Sequence, residues 1–339
     1  MAIAARPRER NADALPAIVV TGAFGFLGSH VVREAAKRGI EVIAVGRRAP
    51  TADTRGFIDE VLGHVTYDLG DVIDPRWAAT LPGDRVVAVI NVAAVTTIDP
   101  REELEQAGHA AAVNVTGAAN VARWTIRSTE ARLIHVSSGA VYGPTDAKRA
   151  VEETVEPRPA SVYGITKLAG ERVVQRLCGE SNRSHAIARL TNVYGPMEVP
   201  GESRAVISDI ATWSERARAG EPLYVPNPDR RRDYVYVADA ATAVVDLALA
   251  PSVKFPIFNV SSGVNIADRE VASTIAGLCD TTIVIGAGGD LGYRPRLAID
   301  RIQSLGWRPT VNLSTGLQLY HDWLAREQRT VRQDAVESR

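Results

Sequence analysis

The chain runs to 339 residues, 45% of them apolar and 23% charged, with a formal net charge of −1. That composition suits a globular protein able to bury a substantial core, and the length suits two domains or one large domain with an appended lobe. A near-neutral chain has no overall field to draw nucleic acid or an anionic membrane, no run of about 18 apolar residues exists to span a bilayer, and cytoplasm is the expected compartment.

Residues 1–15, charged and broken by prolines, are expected to form a disordered tail without the apolar core of a signal peptide. AIVVT (17–21) predicts a strand. From Phe26 to Arg38, Leu27, Val31, Val32 and Ala35 share one face, which predicts a helix ending at Gly39. EVIAV (41–45), HVTYD (64–68) and RVVAVINVAA (85–94) predict three more strands, and 102–128 one long helix. RLIHVSS (132–138) reads as a fifth strand, Ser161–Leu177 as a helix and SHAIARL (184–190) as a sixth strand. Continuously apolar strands alternating with helices predict a parallel sheet covered on both faces.

Beyond residue 190 the texture changes. Prolines and glycines cluster at 195–201, 220–228 and 286–295, with helical pieces near 204–219, 238–250, 267–278 and 313–326. The expected architecture is α/β. A Rossmann-type, doubly wound parallel sheet spans 16–190, and a smaller carboxyl-terminal α/β lobe for substrate spans 191–328. Some segments of that lobe return to the main sheet, and 329–339 form a tail. Cys178 and Cys279 lie in apolar, helix-like stretches and are expected to be reduced thiols.

Gly22, Gly25 and Gly28 stand three apart in VTGAFGFLGSH, after a strand and at the start of a helix. Glycines there permit a tight turn, approach of a pyrophosphate to the backbone, and close packing of helix on strand. The free N–H groups at the helix start, including those of Phe26 and Leu27, then stabilise phosphate. No Lys-Ser or Lys-Thr follows, so a nucleoside triphosphate loop does not fit. In NAD sites an acidic residue at the end of the second strand accepts from the ribose 2′-hydroxyl. Here that strand ends in Gly46, followed by Arg47 and Arg48. Guanidinium groups suit a 2′-phosphate, so NADP(H) is favoured, with NAD(H) the alternative. Asp68 ends the third strand, either as an acceptor for the adenine amino group or as a turn residue before Leu69-Gly70.

Tyr163 and Lys167 in SVYGITK are four apart and share a helix face. A free phenol has a pKa of about 10; a neighbouring ammonium stabilises the phenolate and makes a tuned acid–base pair. Ser137 and Ser138 end the fifth strand, at the sheet edge where open α/β sheets bind ligands. Ser138 is placed to hold a substrate oxygen while Tyr163 moves its proton.

These motifs resemble an extended short-chain dehydrogenase/reductase, of the kind called NAD-dependent epimerase/dehydratase. The resemblance covers about 16–326 and rests on TGAFGFLG, NVAA, NVTG, VSSGAVYG, YGITK, RLTNVYGP, RRDYVYVAD and LGWRPTVNLSTGL, in that order, with Ser138 and Tyr163 25 residues apart. It implies Tyr163 as acid/base, Lys167 on the nicotinamide ribose, Ser138 on the substrate oxygen, and Asn114 supporting Lys167 near the cofactor. It also implies Leu69 and Ala93 beside the cofactor. For a nucleotide-sugar substrate it implies Thr96, Asn192, Arg232 on the diphosphate, and Arg294 as a second phosphate contact. A homodimer built on the long helix and the Tyr163 helix is implied as well. Sugar-nucleotide dehydratases carry an acidic pair before Val-Tyr-Gly; here Gly139 and Ala140 stand there, which argues against elimination of water.

The expected activity is hydride transfer at C4 of a nucleotide-linked hexose, by a 4-ketoreductase or, alternatively, by a 4-epimerase with bound NAD. A dehydrogenase of a free sugar acid and a non-catalytic NAD(P) sensor rank below these. The six histidines show no metal-ligand spacing, and nothing resembles a nucleic-acid module.

Overall fold

The computed structural model describes residues 16–59, 61, 64–97, 100–144, 149–201, 207–289 and 296–337. Along the first half run β1 (Ala17–Thr21), α1 (Phe26–Lys37), β2 (Glu41–Gly46), α2 (Ala52–Asp59), β3 (Val65–Leu69), β4 (Val86–Asn91), α3 (Pro100–Ala111), α4 (Ala118–Ser128), β5 (Arg132–Ser138), α5 (Val162–Glu180) and β6 (His185–Leu190). The second half adds β7 (Asn192–Tyr194), α6 (Asp209–Arg218), β8 (Leu223–Val225), β9 (Arg231–Tyr236), α7 (Val237–Leu249), β10 (Ile257–Val260), β11 (Asn265–Ala267), α8 (Asp268–Cys279), β12 (Ile283–Ile285), α9 (Asp300–Gln303) and α10 (Leu313–Glu337).

Seven parallel strands form the main sheet in the order β10-β6-β5-β4-β1-β2-β3. The apolar run of β1 divides by alternation. Ile18 and Val20 enter the core under α1 and α7, while Ala17 and Val19 enter the core under α4 and α5. Strand order reverses on either side of β1, between β4 and β2, which opens a crevice at the carboxyl ends of these strands.

The second half does not stay in its own lobe. α7 packs on α1, and β10 pairs with β6 to close one edge of the main sheet. What remains forms the lobe: the sheet β11-β9-β7, the pair β12-β8, and a core in which α6, α8 and α10 bury Trp213, Ile275 and Tyr320. At the far end α10 runs on to Glu337, into the stretch read from sequence as a tail, because Ala, Glu, Gln and Arg there are good helix formers.

The helix expected over 102–128 is interrupted. α3 and α4 are joined by a single π-helical stretch, Ala112–Gly117, which re-aims Asn114. Both cysteines are free thiols, Cys178 buried and Cys279 half-buried. Among the described residues no helix is long and apolar enough to cross a membrane, and no cluster of His, Cys, Asp or Glu could hold a metal.

Candidate active site

A cavity of about 670 Å³ opens at the carboxyl edge of the main sheet, where it meets the lobe. Its floor at one end is the β1–α1 turn. Gly22 has φ +65°, and a Cβ there would fall 2.7 Å from the Ala93 backbone nitrogen. A Cβ at Gly28 would fall 2.0 Å from the Gly22 carbonyl oxygen. These two glycines let turn, β4 and helix close on each other. Gly25 differs, because its Cβ would meet only ordinary contact at 3.4 Å. No side chain caps α1, and Gly25, Phe26, Leu27 and Gly28 face the cavity. The uncapped N–H groups and the positive end of the helix suit an anionic group there.

Arg47 and Arg48 line the same end, beyond β2. A Cβ at Gly46 would lie 2.2 Å from the Phe24 ring, so Phe24 occupies the space an acidic side chain would need. Phe24 is held in turn by Tyr67, with centroids 5.7 Å apart. Asp68 and Leu69 correct the expectation, since neither lines the cavity, whose wall passes through Gly70, Asp71 and Val72. Asp68 accepts from the Leu69 N–H at 2.7 Å and from Thr80 at 3.3 Å, the turn role, while Leu69 is 62% exposed.

Ser138, Tyr163 and Lys167 line this one cavity. Local chemistry brings them together. Ser138 ends β5 and caps the tight turn after it, accepting from the Ala140 N–H at 3.1 Å. Ser161, two residues before Tyr163, caps α5 by accepting from the Gly164 N–H at 3.1 Å, and the helix starts at Val162. Gly164 packs on that turn so closely that a Cβ would stand 2.7 Å from the Ala140 carbonyl. Glu103 of α3 accepts from the Val162 N–H at 2.8 Å and holds the helix start from the other side.

Lys167 is 1% exposed, and burial pushes its ammonium down to about 8 while the Glu171 carboxylate opposes that shift. His135, beneath it on β5, is driven well below its ordinary range by burial and then by the Lys167 charge. Asn114 neither lines the cavity nor spends its amide on Lys167. Its Oδ1 accepts from the Val95 N–H at 2.9 Å, and its Nδ2 donates to the Val95 carbonyl and to the Thr166 hydroxyl, both at 3.0 Å. It pins the loop that carries Thr96 and Thr97 to the helix that carries Lys167.

Ala93 and Thr96 line the cavity, as do Asn192 and Arg232 on the lobe side. Asn192 donates to the Asp233 carbonyl at 2.8 Å. The Arg232 guanidinium pairs with Asp209, which also takes Arg230 at 2.7 Å. Arg294 lies outside the described residues. Sequence reasoning did not single out Asp71, Thr97, His109, Asp209 or Tyr234, all of which line the cavity. These lie in ordinary-looking stretches, and only the fold turns them inward. The donor set fits a dinucleotide: the glycine turn is shaped for phosphate, and the Thr97 hydroxyl, 2% exposed, has no partner among the described residues.

Comparison with known proteins bears on the same region. The model of the NAD dependent epimerase/dehydratase family matches residues 18–261. The dTDP-L-rhamnose 4-epimerase of Burkholderia thailandensis is 29% identical over 91% of this chain and 95% of its own. The dTDP-4-dehydrorhamnose reductase of Mycobacterium tuberculosis is 32% identical over 68% of this chain and 65% of its own. The crystal structure of Thermus thermophilus UDP-glucose 4-epimerase in complex with NAD superposes with a TM-score of 0.76, at 27% identity, over 91% of this chain and 98% of that one.

Proposed function

The chain belongs to the NAD dependent epimerase/dehydratase family and is an enzyme of the extended short-chain dehydrogenase/reductase type; from that premise we propose that it transfers a hydride at C4 of the hexose in a nucleotide sugar, as an NADPH-dependent 4-ketoreductase. The carrying observation is that Ser138, Tyr163 and Lys167 line one cavity together with the glycine turn and with Asn192 and Arg232 of the lobe. When bound, the nicotinamide supplies the hydride. Tyr163 gives its proton to the C4 oxygen as the carbonyl is reduced, and Ser138 holds that oxygen. Lys167 stabilises the phenolate left behind and hydrogen-bonds the ribose. Arg232 meets the substrate diphosphate. The turn after Ser138 offers Gly139 and Ala140, with no carboxylate to remove a C5 proton, which weighs against a dehydratase.

The cofactor preference rests on Gly46, Arg47 and Arg48. Replacing both arginines by serine is expected to weaken NADPH binding at least about tenfold and leave NADH within about threefold, because only the 2′-phosphate loses charge-assisted bonds. Equal losses for both dinucleotides in a fluorescence titration would remove the argument for NADP.

A 4-epimerase that retains NAD is the second reading, favoured by the whole-length relatives named 4-epimerase. Mass analysis of the dinucleotide released on denaturation separates the two. Tightly held NAD means epimerase, and an empty site that prefers NADPH means reductase. We further propose a homodimer through α3 and α5, on which Leu104 is 86% and Ile165 53% exposed. The double variant Leu104→Glu/Ile165→Glu is expected to sediment as a monomer; an unchanged sedimentation coefficient would exclude this interface.

A further inference from the structure

Tyr163, Lys167 and Glu171 follow one another at four-residue spacing on one face of α5. Glu171 is fully buried. Arg189 of β6, 1% exposed, grips its carboxylate: Nε lies 3.0 Å from Oε1 and 3.2 Å from Oε2, and Nη2 lies 2.7 Å from Oε2. The Ser137 hydroxyl donates to the same carboxylate. The Arg189 guanidinium also covers the Tyr142 ring at 4.8 Å. One buried carboxylate therefore ties together the helix of Lys167, the strand that ends in Ser138, and the strand that leads to Asn192.

A buried ion pair is a poor source of stability, because apolar residues of similar volume would pack there at no desolvation cost. Here the Arg189 Nη1 is buried with no hydrogen-bond partner among the described residues. The position of the pair gives it another use. We propose that Glu171 is a positioning residue that keeps Lys167 an ammonium and holds α5 in register with the end of β5.

The surroundings of Lys167 leave this task to Glu171. From α5 itself come Tyr163 and Glu171. β5 contributes His135, whose Nδ1 accepts from Asn91 at 3.1 Å and which stays neutral. The turn after β5 contributes Tyr142, β6 contributes Arg189, and α3 contributes His109 at the cavity wall. α4 and the π-helical stretch bury no titratable group. α3 also brings Glu103, whose carboxylate accepts from the Val162 N–H; the buried acid on the Lys167 face of α5 is Glu171, and burial already lowers Lys167 with that carboxylate in place. Without it, Lys167 loses its proton at lower pH. The phenolate of Tyr163 then loses its support, and the phenol titrates at higher pH.

This inference rests on the reading of Tyr163 and Lys167 as the acid–base pair, and its test needs no substrate. The Tyr163 phenol is titrated by ultraviolet difference spectroscopy on protein stripped of dinucleotide, with Tyr163→Phe as the blank. Glu171→Gln is expected to raise its titration point by about one pH unit, a tenfold change in ionisation, and Glu171→Asp to restore it. Because the glutamine variant leaves Arg189 buried and unpaired, Glu171→Gln/Arg189→Met is measured beside it, and a smaller shift in the same direction is expected. A phenol that titrates alike in the folded double variant and the parent overturns the proposal. A parent phenol that titrates at the ordinary value of about 10 overturns the acid–base reading itself, so the two failures are distinguishable.

Discussion

Tyr163→Phe is expected to lower kcat by about a thousandfold or more and to leave dinucleotide affinity within about threefold. The change removes one hydroxyl from a half-buried ring at the cavity wall, so the helix start held by Ser161 and Glu103 keeps its geometry. What is lost is the proton delivered to the substrate oxygen. Ser138 can polarise that oxygen, but it does not share a helix face with Lys167 as Tyr163 does. Nicotinamide absorbance in a single turnover gives the rate, and a fluorescence titration gives the affinity. A rate within about tenfold of the parent would place the acid on another residue, and a non-catalytic sensor would show no rate in either protein.

The second large effect belongs to Gly28. A methyl group there stands 2.0 Å from the Gly22 carbonyl oxygen and 2.8 Å from its carbon, all backbone that β1, β4 and α1 hold from several sides. Gly28→Ala is expected to lower the thermal midpoint by at least about 5 °C, the scale of overpacking a rigid site, and to abolish dinucleotide binding. Gly25→Ala is the control, for its methyl meets protein only at 3.4 Å but projects where the ligand must lie. It is expected to keep the parent midpoint and lose affinity at least about tenfold. Calorimetry and a binding titration on the pair separate packing from ligand contact. The same response from both variants would remove that distinction.

The nucleotide-binding half was legible because its strands are buried on both faces and so read as unbroken apolar runs. RLIHVSS coincides with β5, and the glycine turn opens α1 at Phe26. In the lobe β7, β8, β11 and β12 are three residues long, too short for an alternation to register. The helical pieces there were visible, but the cap that starts α6 is the Ser208 hydroxyl, a local bond with no periodic signature. Nothing in AAVNVTGA distinguishes a π-helical stretch from a continuing α-helix. What accompanies it is a contact with Val95, 19 residues earlier, which takes both ends of the Asn114 amide.

Within the site, Ser138, Tyr163 and Lys167 stood out because their spacing carries the chemistry. Leu69 was misplaced because one residue along a strand changes which side a group faces, while Asp68 takes the turn role that was one of its two readings. Glu171 and Arg189 were invisible for a different reason. A charged residue on a helix reads as solvated surface, and only the pairing of β5 with β6 puts the two under the active site.

The return of β10 to the main sheet bears on how the protein is made. Ile187 donates its N–H to Pro256, and Thr191 donates to Val260, so the last edge of the sheet is supplied by residues that leave the ribosome some seventy positions after their partners. Throughout that interval the edge of β6 that pairs with β10 has no partner strand. The nascent chain must wait through the synthesis of β7, α6, β8, β9 and α7 before that edge is sealed. Cutting the gene at the apparent boundary near residue 190 would therefore release an unfinished sheet rather than a nucleotide-binding domain.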